Sequence, residues 1–177
     1  MEQPTEGEVH TFENEIVGWS DATLELDEDD FAYAGKFRVP SGKAVTRDGD
    51  ETVAVLSFSH DRADPDAVRV RYISVREDRR GEGVGSALLK YAADRLLERH
   101  GAVRISVNNP FSYESARKAG FGWTGEESGL AELVMKRPSE TDPEMHEEAL
   151  RIFADRDLSE EEETYVRRKL EEAEGAR

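Results

Sequence analysis

The chain has 177 residues, enough for one domain with a real core and an appendage. Its 40 acidic and 24 basic residues leave a net charge of −16, which argues against a nucleic-acid partner because a phosphate backbone would be repelled. With no Cys, the sequence has no disulfide, thiol nucleophile or zinc–thiolate site to offer.

No apolar run is long enough to span a bilayer, and the opening MEQPTEGEVHTFENE is too acidic for a signal peptide. A cytoplasmic location without a membrane partner is the expectation. The basic residues are 18 Arg and 6 Lys. That acidic load with scarce Lys suggests a halophilic protein, because concentrated salt screens the self-repulsion. The four His, at 10, 60, 100 and 146, show no ligand spacing, so no metal is expected.

Residues 1–20 are weakly patterned. Asp21 to Asp30 reads as a short strand ending in an acidic turn, and Phe31 to Val39 as a second strand. Pro40-Ser-Gly42 closes it, and Lys43 to Arg47 continues extended. Asp48-Gly49 is a hairpin signal. Thr52 to His60 follows as a strand with Val53, Val55 and Phe58 toward a core. After a turn at Asp61 to Asp66, Val68 to Val75 is the central strand, so residues 43–75 form an antiparallel meander.

A charged turn, Arg76 to Arg79, leads into Arg80-Gly81-Glu82-Gly83-Val84-Gly85. Ser86 to His100 is the clearest helix, striped by Leu88, Leu89, Ala92, Ala93, Leu96 and Leu97 and stopped at Gly101. A strand, a glycine loop and a helix N-terminus make an anion site, because the backbone approaches closely and the first helical N–H groups point at the ligand. It is not the dinucleotide fingerprint, whose third glycine would fall on Ser86, nor a Walker loop, because no Gly-Lys-Ser/Thr follows.

The strand 102–107 comes next, and strand–helix–strand implies parallel pairing. Asn109 caps a shorter helix with Pro110 at its first position, ending near Ala119 and Gly120. Phe121 to Thr124 starts a strand, Glu126 to Gly129 turns, and Leu130 to Lys136 returns. Pro138 to Pro143 is a linker to two helical stretches. The first has Met145, Ala149, Ile152 and Phe153 as its stripe, and the second begins at the capping box Ser159-Glu-Glu-Glu162. This tail, 138–177, is either a solvated acidic extension or a helical pair docked on the domain or on a second copy in a homodimer.

Arg80-x-x-Gly83-x-Gly85, set between the strand and the helix, resembles the acyl-CoA motif of the GNAT superfamily of N-acyltransferases, Gln/Arg-x-x-Gly-x-Gly/Ala. The likeness covers about residues 43–137 and includes Gly120-Phe121, which is similar to the family's Gly-Phe after its short helix. It implies an α/β (α+β) fold over residues 1–137. The expected sheet is mixed, with an antiparallel N-terminal meander, splayed central strands and helices on both faces. It implies acetyl-CoA as co-substrate, an amine acceptor that the sequence does not name, and direct acetyl transfer. Main-chain groups of Ile73 and Val75 would bind pantetheine. Gly81, Gly83, Val84, Gly85 and Ser86 would hold the pyrophosphate, Arg80 would add positive charge, and Asn109 matches the family Asn beside CoA.

Three departures stand out. Residues 1–42 show no helical pair between the first strands. The family's thiolate-protonating Tyr falls here on Ala116, with Tyr113 one turn away. The central strand offers no carboxylate as base, leaving Tyr113, Tyr72 and Ser74 as the catalytic candidates. The alternative is a protein that binds acyl-CoA as a sensor or scaffold without turnover.

Overall fold

The computed structural model describes residues 11–129, 131–139 and 142–175. Residues 1–10, Leu130 as the expected first residue of the last strand, and Glu140-Thr141 of the linker lie outside the described residues. Among the described residues, seven strands run in the order β1-β2-β3-β4-β5-β7-β6 in a mixed sheet, accompanied by four α-helices. The chain divides into two compact units. One comprises Met1–Ser59 with Arg71–Ala92, the other His60–Val70 with Ala93–Arg177.

In the first unit, β1 (Phe12–Ala22), β2 (Ser41–Asp48) and β3 (Glu51–His60) pair antiparallel, with Phe12 opposite Asp48 and Val45 opposite Val55. The hairpin at Asp48-Gly49 turns with Gly49 at φ 65°, as the Asp-Gly pair predicts. Val53 to Phe58 are all buried, so β3 packs on both faces.

The two strands expected over 21–39 are corrected. The first strand lies earlier, at Phe12–Ala22, and residues 23–40 run as loop, turns and a 3-10 helix, Ala34–Arg38. Asp27 ends extension by accepting from the Asp29 N–H at 2.8 Å, while its carbonyl accepts from Phe31. Phe31, Ala34 and Phe37 then recur every third residue and enter one apolar cluster with Val45 and Val55. β1 escaped detection because it is an edge strand of mixed exposure, held by its pairing with β2 rather than by an apolar face.

Lys43 is fully buried on β2, with its ammonium donating to the carbonyls of Ala22 (3.0 Å) and Val39 (2.8 Å) and to Ser41 Oγ (2.6 Å). It ties the end of β1 to the exit of the 3-10 helix, and burial pushes its pKa down.

β4 (Ala67–Val75) contributes Ala67–Val70 to the second unit and Arg71–Val75 to the first. Its start pairs in parallel with β5 (Ala102–Val107), from Ala67 opposite Ala102 to Arg69 opposite Arg104. α1 (Val84–Leu97) buries Leu88, Leu89, Ala92, Ala93 and Leu96 as its stripe predicts, with Leu97 half-buried. Gly101 follows it because a Cβ there would stand 2.0 Å from Asp66 Oδ2.

In the second unit, β7 (Glu132–Arg137) lies between β5 and β6 (Gly122–Ser128), antiparallel to both. α3 (Pro143–Ala154) and α4 (Glu160–Gly175) pack on each other, α3 also on β6 and α4 also on α2 (Pro110–Lys118). The tail is therefore a docked helical pair. The α3 stripe is shifted from the expected one: Glu147, Ala149, Leu150 and Phe153 are buried, and Met145 and Ile152 are half-buried. Both capping-box bonds at α4 form, at 2.9 and 3.1 Å between Ser159 and Glu162.

Candidate functional site

The second half of β4 runs into a short 3-10 turn, Glu77–Arg79, then the exposed loop 80–83, then α1 at Val84. Ion pairs brace the turn. Arg76 binds Asp78 at 2.6 Å, and Arg79 binds Asp48 at 2.9 Å and Glu82 at 3.3 Å. These hydrogen bonds hold both guanidiniums in their charged form, and the one from Arg76 pulls the Asp78 pKa down.

Gly81 and Gly83 have φ of 85° and 80°, where a side chain is strained. A Cβ on either would meet nothing within 4 Å, so packing does not demand glycine there. The demand is conformational, and it leaves an open cradle beside the helix start. Gly83 sits before the first helical residue and has no side chain to cap it. The first intrahelical bond recorded there is Ala87 N–H to the Gly83 carbonyl at 3.1 Å. A helix directs the N–H groups of its first turn outward along its axis, here from Val84 on, and that turn carries no acidic residue.

Arg80 is exposed and donates from Nε to the Val75 carbonyl at 3.2 Å. It has no carboxylate partner among the described residues, unlike Arg76 and Arg79. Gly85 lies close to β4, since a Cβ on it would stand 3.0 Å from Val75 Cγ2. Ile73, Val75 and all the loop residues named from the sequence therefore fall within the first unit.

Tyr72 and Ser74 belong to the same unit. The Tyr72 ring is half-buried, 5.5 Å from Tyr33 and 6.4 Å from Phe37, with Lys36 Nζ 5.8 Å above it. Ser74 is 3% exposed, and its buried Oγ has no hydrogen-bond partner. Tyr33 itself holds a left-handed backbone, φ 61°, uncommon for a bulky residue.

The other two candidates belong to the second unit. Asn109 caps α2. Its Oδ1 accepts from the Ser112 N–H at 2.8 Å, and its Nδ2 donates to Ser112 Oγ at 3.0 Å. Tyr113 is 1% exposed. Its ring stacks on His146 at 5.7 Å and packs against Phe153, and its hydroxyl lies 2.8 Å from His146 Nδ1. Burial pushes the phenol above its ordinary range and the imidazole down to about 4. Both groups are then neutral, and which of them donates follows from which ring nitrogen carries the proton.

Sequence reasoning did not single out Lys43 or His146. No pattern marks Lys43, a charged residue inside a strand. His146 carries a weak signal, since it falls on the helical stripe of Ala149, Leu150 and Phe153. Among the described residues, no three His, Asp or Glu gather as a metal site, and no helix is long and apolar enough to cross a membrane.

The mixed sheet and its helices, with a strand that runs through a glycine cradle into α1, define an α/β protein. The family model described as the Acetyltransferase (GNAT) family matches residues 7–121, and the chain belongs to that family. Similar solved structures include a Bacillus subtilis acetyltransferase in complex with CoA, 17% identical, covering 54% of this chain and 74% of that one at a TM-score of 0.47. A nourseothricin acetyltransferase is 19% identical, covering 71% of this chain and 96% of that one at a TM-score of 0.47. A ribosomal-protein-alanine N-acetyltransferase from Brucella melitensis is 19% identical, covering 54% and 67% at 0.45. No curated protein matches the chain.

Proposed function

We propose that the chain is an acyl-CoA N-acyltransferase that moves an acetyl group from acetyl-CoA directly to an amine. The observation that carries this is the start of α1. Two positive-φ glycines open a cradle there, no side chain caps the helix from Gly83, and no acid stands in its first turn. In an otherwise acidic chain, that combination suits an anion such as a pyrophosphate.

On this reading, N–H groups of Gly81, Gly83, Val84, Gly85 and Ser86 hold the pyrophosphate, and Arg80 adds charge. Main-chain groups of Ile73 and Val75, in the same unit, hold the pantetheine arm. The amine nitrogen attacks the thioester carbonyl carbon. The C–N bond forms, the C–S bond breaks, the nitrogen loses a proton and the thiolate takes one. Tyr72 and Ser74 lie on the strand beside Ile73 and Val75, and Ser74 has an unpaired hydroxyl. Tyr113, in the second unit, has its hydroxyl engaged with His146.

The second reading, acyl-CoA binding without turnover, is favoured by that engaged hydroxyl, by Ala116 at the family's Tyr position and by a central strand without a carboxylate. Thiol release from acetyl-CoA with a panel of amines separates the two. Release with any amine supports transfer, whereas CoA binding without release for every acceptor supports the sensor. Absence of CoA binding overturns both.

A further inference from the structure

One residue of the glycine loop carries the wrong charge for an anion site. Glu82 stands between Gly81 and Gly83, and it is the one acidic residue between Asp78 and Asp94. A glutamate keeps its carboxylate within a few bonds of its own backbone. That puts a negative charge inside the screening length, about 8 Å at physiological salt, of the loop proposed to hold a pyrophosphate. Unless another group offsets it, this charge repels the ligand.

Arg79 stands three residues earlier, at the end of the 3-10 turn. Its Nε donates to Glu82 Oε1 at 3.3 Å, and its Nη1 to Asp48 Oδ2 at 2.9 Å. Its Cζ lies 5.2 Å from the centre of the Phe12 ring. Phe12 and Asp48 are opposite each other in the β1–β2 pairing, so one end of that ladder is the seat of the guanidinium. All four residues belong to the first unit. The other cation of the turn, Arg76, is occupied with Asp78 at 2.6 Å and Glu51 at 3.6 Å.

The seat gives the Arg79–Glu82 pair its weight. An exposed ion pair contributes little, because two long side chains must both be ordered in water. Here the Arg79 side chain is 11% exposed and that of Glu82 45%. Asp48 and Phe12 already order the cation, and only Glu82 has to come to it. The planar guanidinium serves both carboxylates at once, through separate N–H groups in a fixed fork.

We propose that Arg79 is a positioning residue for donor binding: it ties down the Glu82 carboxylate and offsets its charge, so that the glycine loop can take an anion. The inference rests on the acyl-CoA reading of that loop, and Arg79 acts on the ligand only through Glu82.

The test is a double-mutant cycle of Arg79→Gln and Glu82→Gln, read by calorimetric titration of the full chain with CoA. Arg79→Gln is expected to weaken CoA binding about tenfold, because Glu82 is then released and uncompensated. In the Glu82→Gln background the same change is expected to cost less than about threefold. A residue that merely braces the turn would cost the same in both backgrounds. Cooperative melts serve as the folding control. Should Arg79→Gln fail to fold, Arg79→Lys replaces it, keeping the charge without the fork. Its expected loss is about threefold, again absent with Glu82→Gln. An equal loss in both backgrounds, or a loss in neither, overturns the proposal. Inorganic pyrophosphate is titrated beside CoA. A wild-type chain that binds pyrophosphate and not CoA overturns the acyl-CoA reading alone, and the cycle is then read with pyrophosphate. A wild-type chain that binds neither overturns both.

Discussion

The four helices begin in two different ways. α2, α3 and α4 start from side chains that accept their own N–H groups: Asn109 from Ser112, Asp142 from Met145, Ser159 from Glu162. α4 adds four glutamates in its first turn. α1 starts from a glycine at φ 80° and has no acid in its first turn. A side-chain cap stabilises a helix by about 1 kcal/mol, and the chain employs that device three times. At α1 the residue in that place is Gly83, which has no side chain to act as a cap. The helix beside the proposed donor site is the one that starts from a glycine.

The largest expected effect is on the side of the contrast with side-chain caps. Phe153 is fully buried against Tyr113, and Phe153→Ala is expected to destabilise the protein by about 3–5 kcal/mol in urea unfolding. CoA affinity measured well below the melting temperature should stay at wild type. A matching loss of CoA affinity would show that the two ends are not independent.

Gly83→Asp tests the other side. It adds a carboxylate where CoA phosphates are proposed to bind, at a φ that costs a side chain about 1–2 kcal/mol. CoA affinity is expected to fall about a hundredfold by titration calorimetry. Retained affinity would remove the α1 start from the site.

Asp142→Ala sharpens the comparison with a smaller change, a loss of about 1 kcal/mol of stability with CoA binding unaltered. The Tyr113–His146 pair predicts a pH effect of definite sign. The folded imidazole titrates near 4, below its ordinary 6.5, so the unfolded chain binds that proton more readily. Its contribution is whole above pH 6.5, declines as the pH falls toward 4, and then levels off. Arg117 and Lys169 oppose the imidazolium and Glu147 favours it, after burial as the main cause. Unfolding free energies of the wild type and His146→Asn should converge over that window, and parallel curves would contradict the assignment. The smallest expected change is in salt. Melting in low and in molar KCl should show stabilisation by salt, and equal melting would count against a halophilic origin.

Signals that live in a few adjacent residues were legible in the sequence. The Asp48-Gly49 hairpin, the α1 stripe, the Asn109-Pro110 cap and the Ser159–Glu162 box all appear where their patterns place them, because each depends on local dihedrals and neighbours. The segment 21–39 was not legible. Its aromatics alternate loosely enough to suggest strands, while Phe31, Ala34 and Phe37 serve the core at a spacing of three. The edge strand β1 was equally hidden, since its stability comes from β2 and not from its own pattern.

By itself, then, the sequence determined the strand, the glycine loop, the helix that follows and the kind of ligand they resemble a site for. Glycine at positive φ and a helix that starts from glycine are properties of the backbone within about ten residues. Only the tertiary structure decided what the long-range side chains do. Tyr113 meets His146 across 33 positions, Lys43 reaches back to Ala22, and Glu114 is buried beneath Lys169 with one oxygen unpaired. Such pairings depend on which surfaces pack together, and no local pattern encodes that.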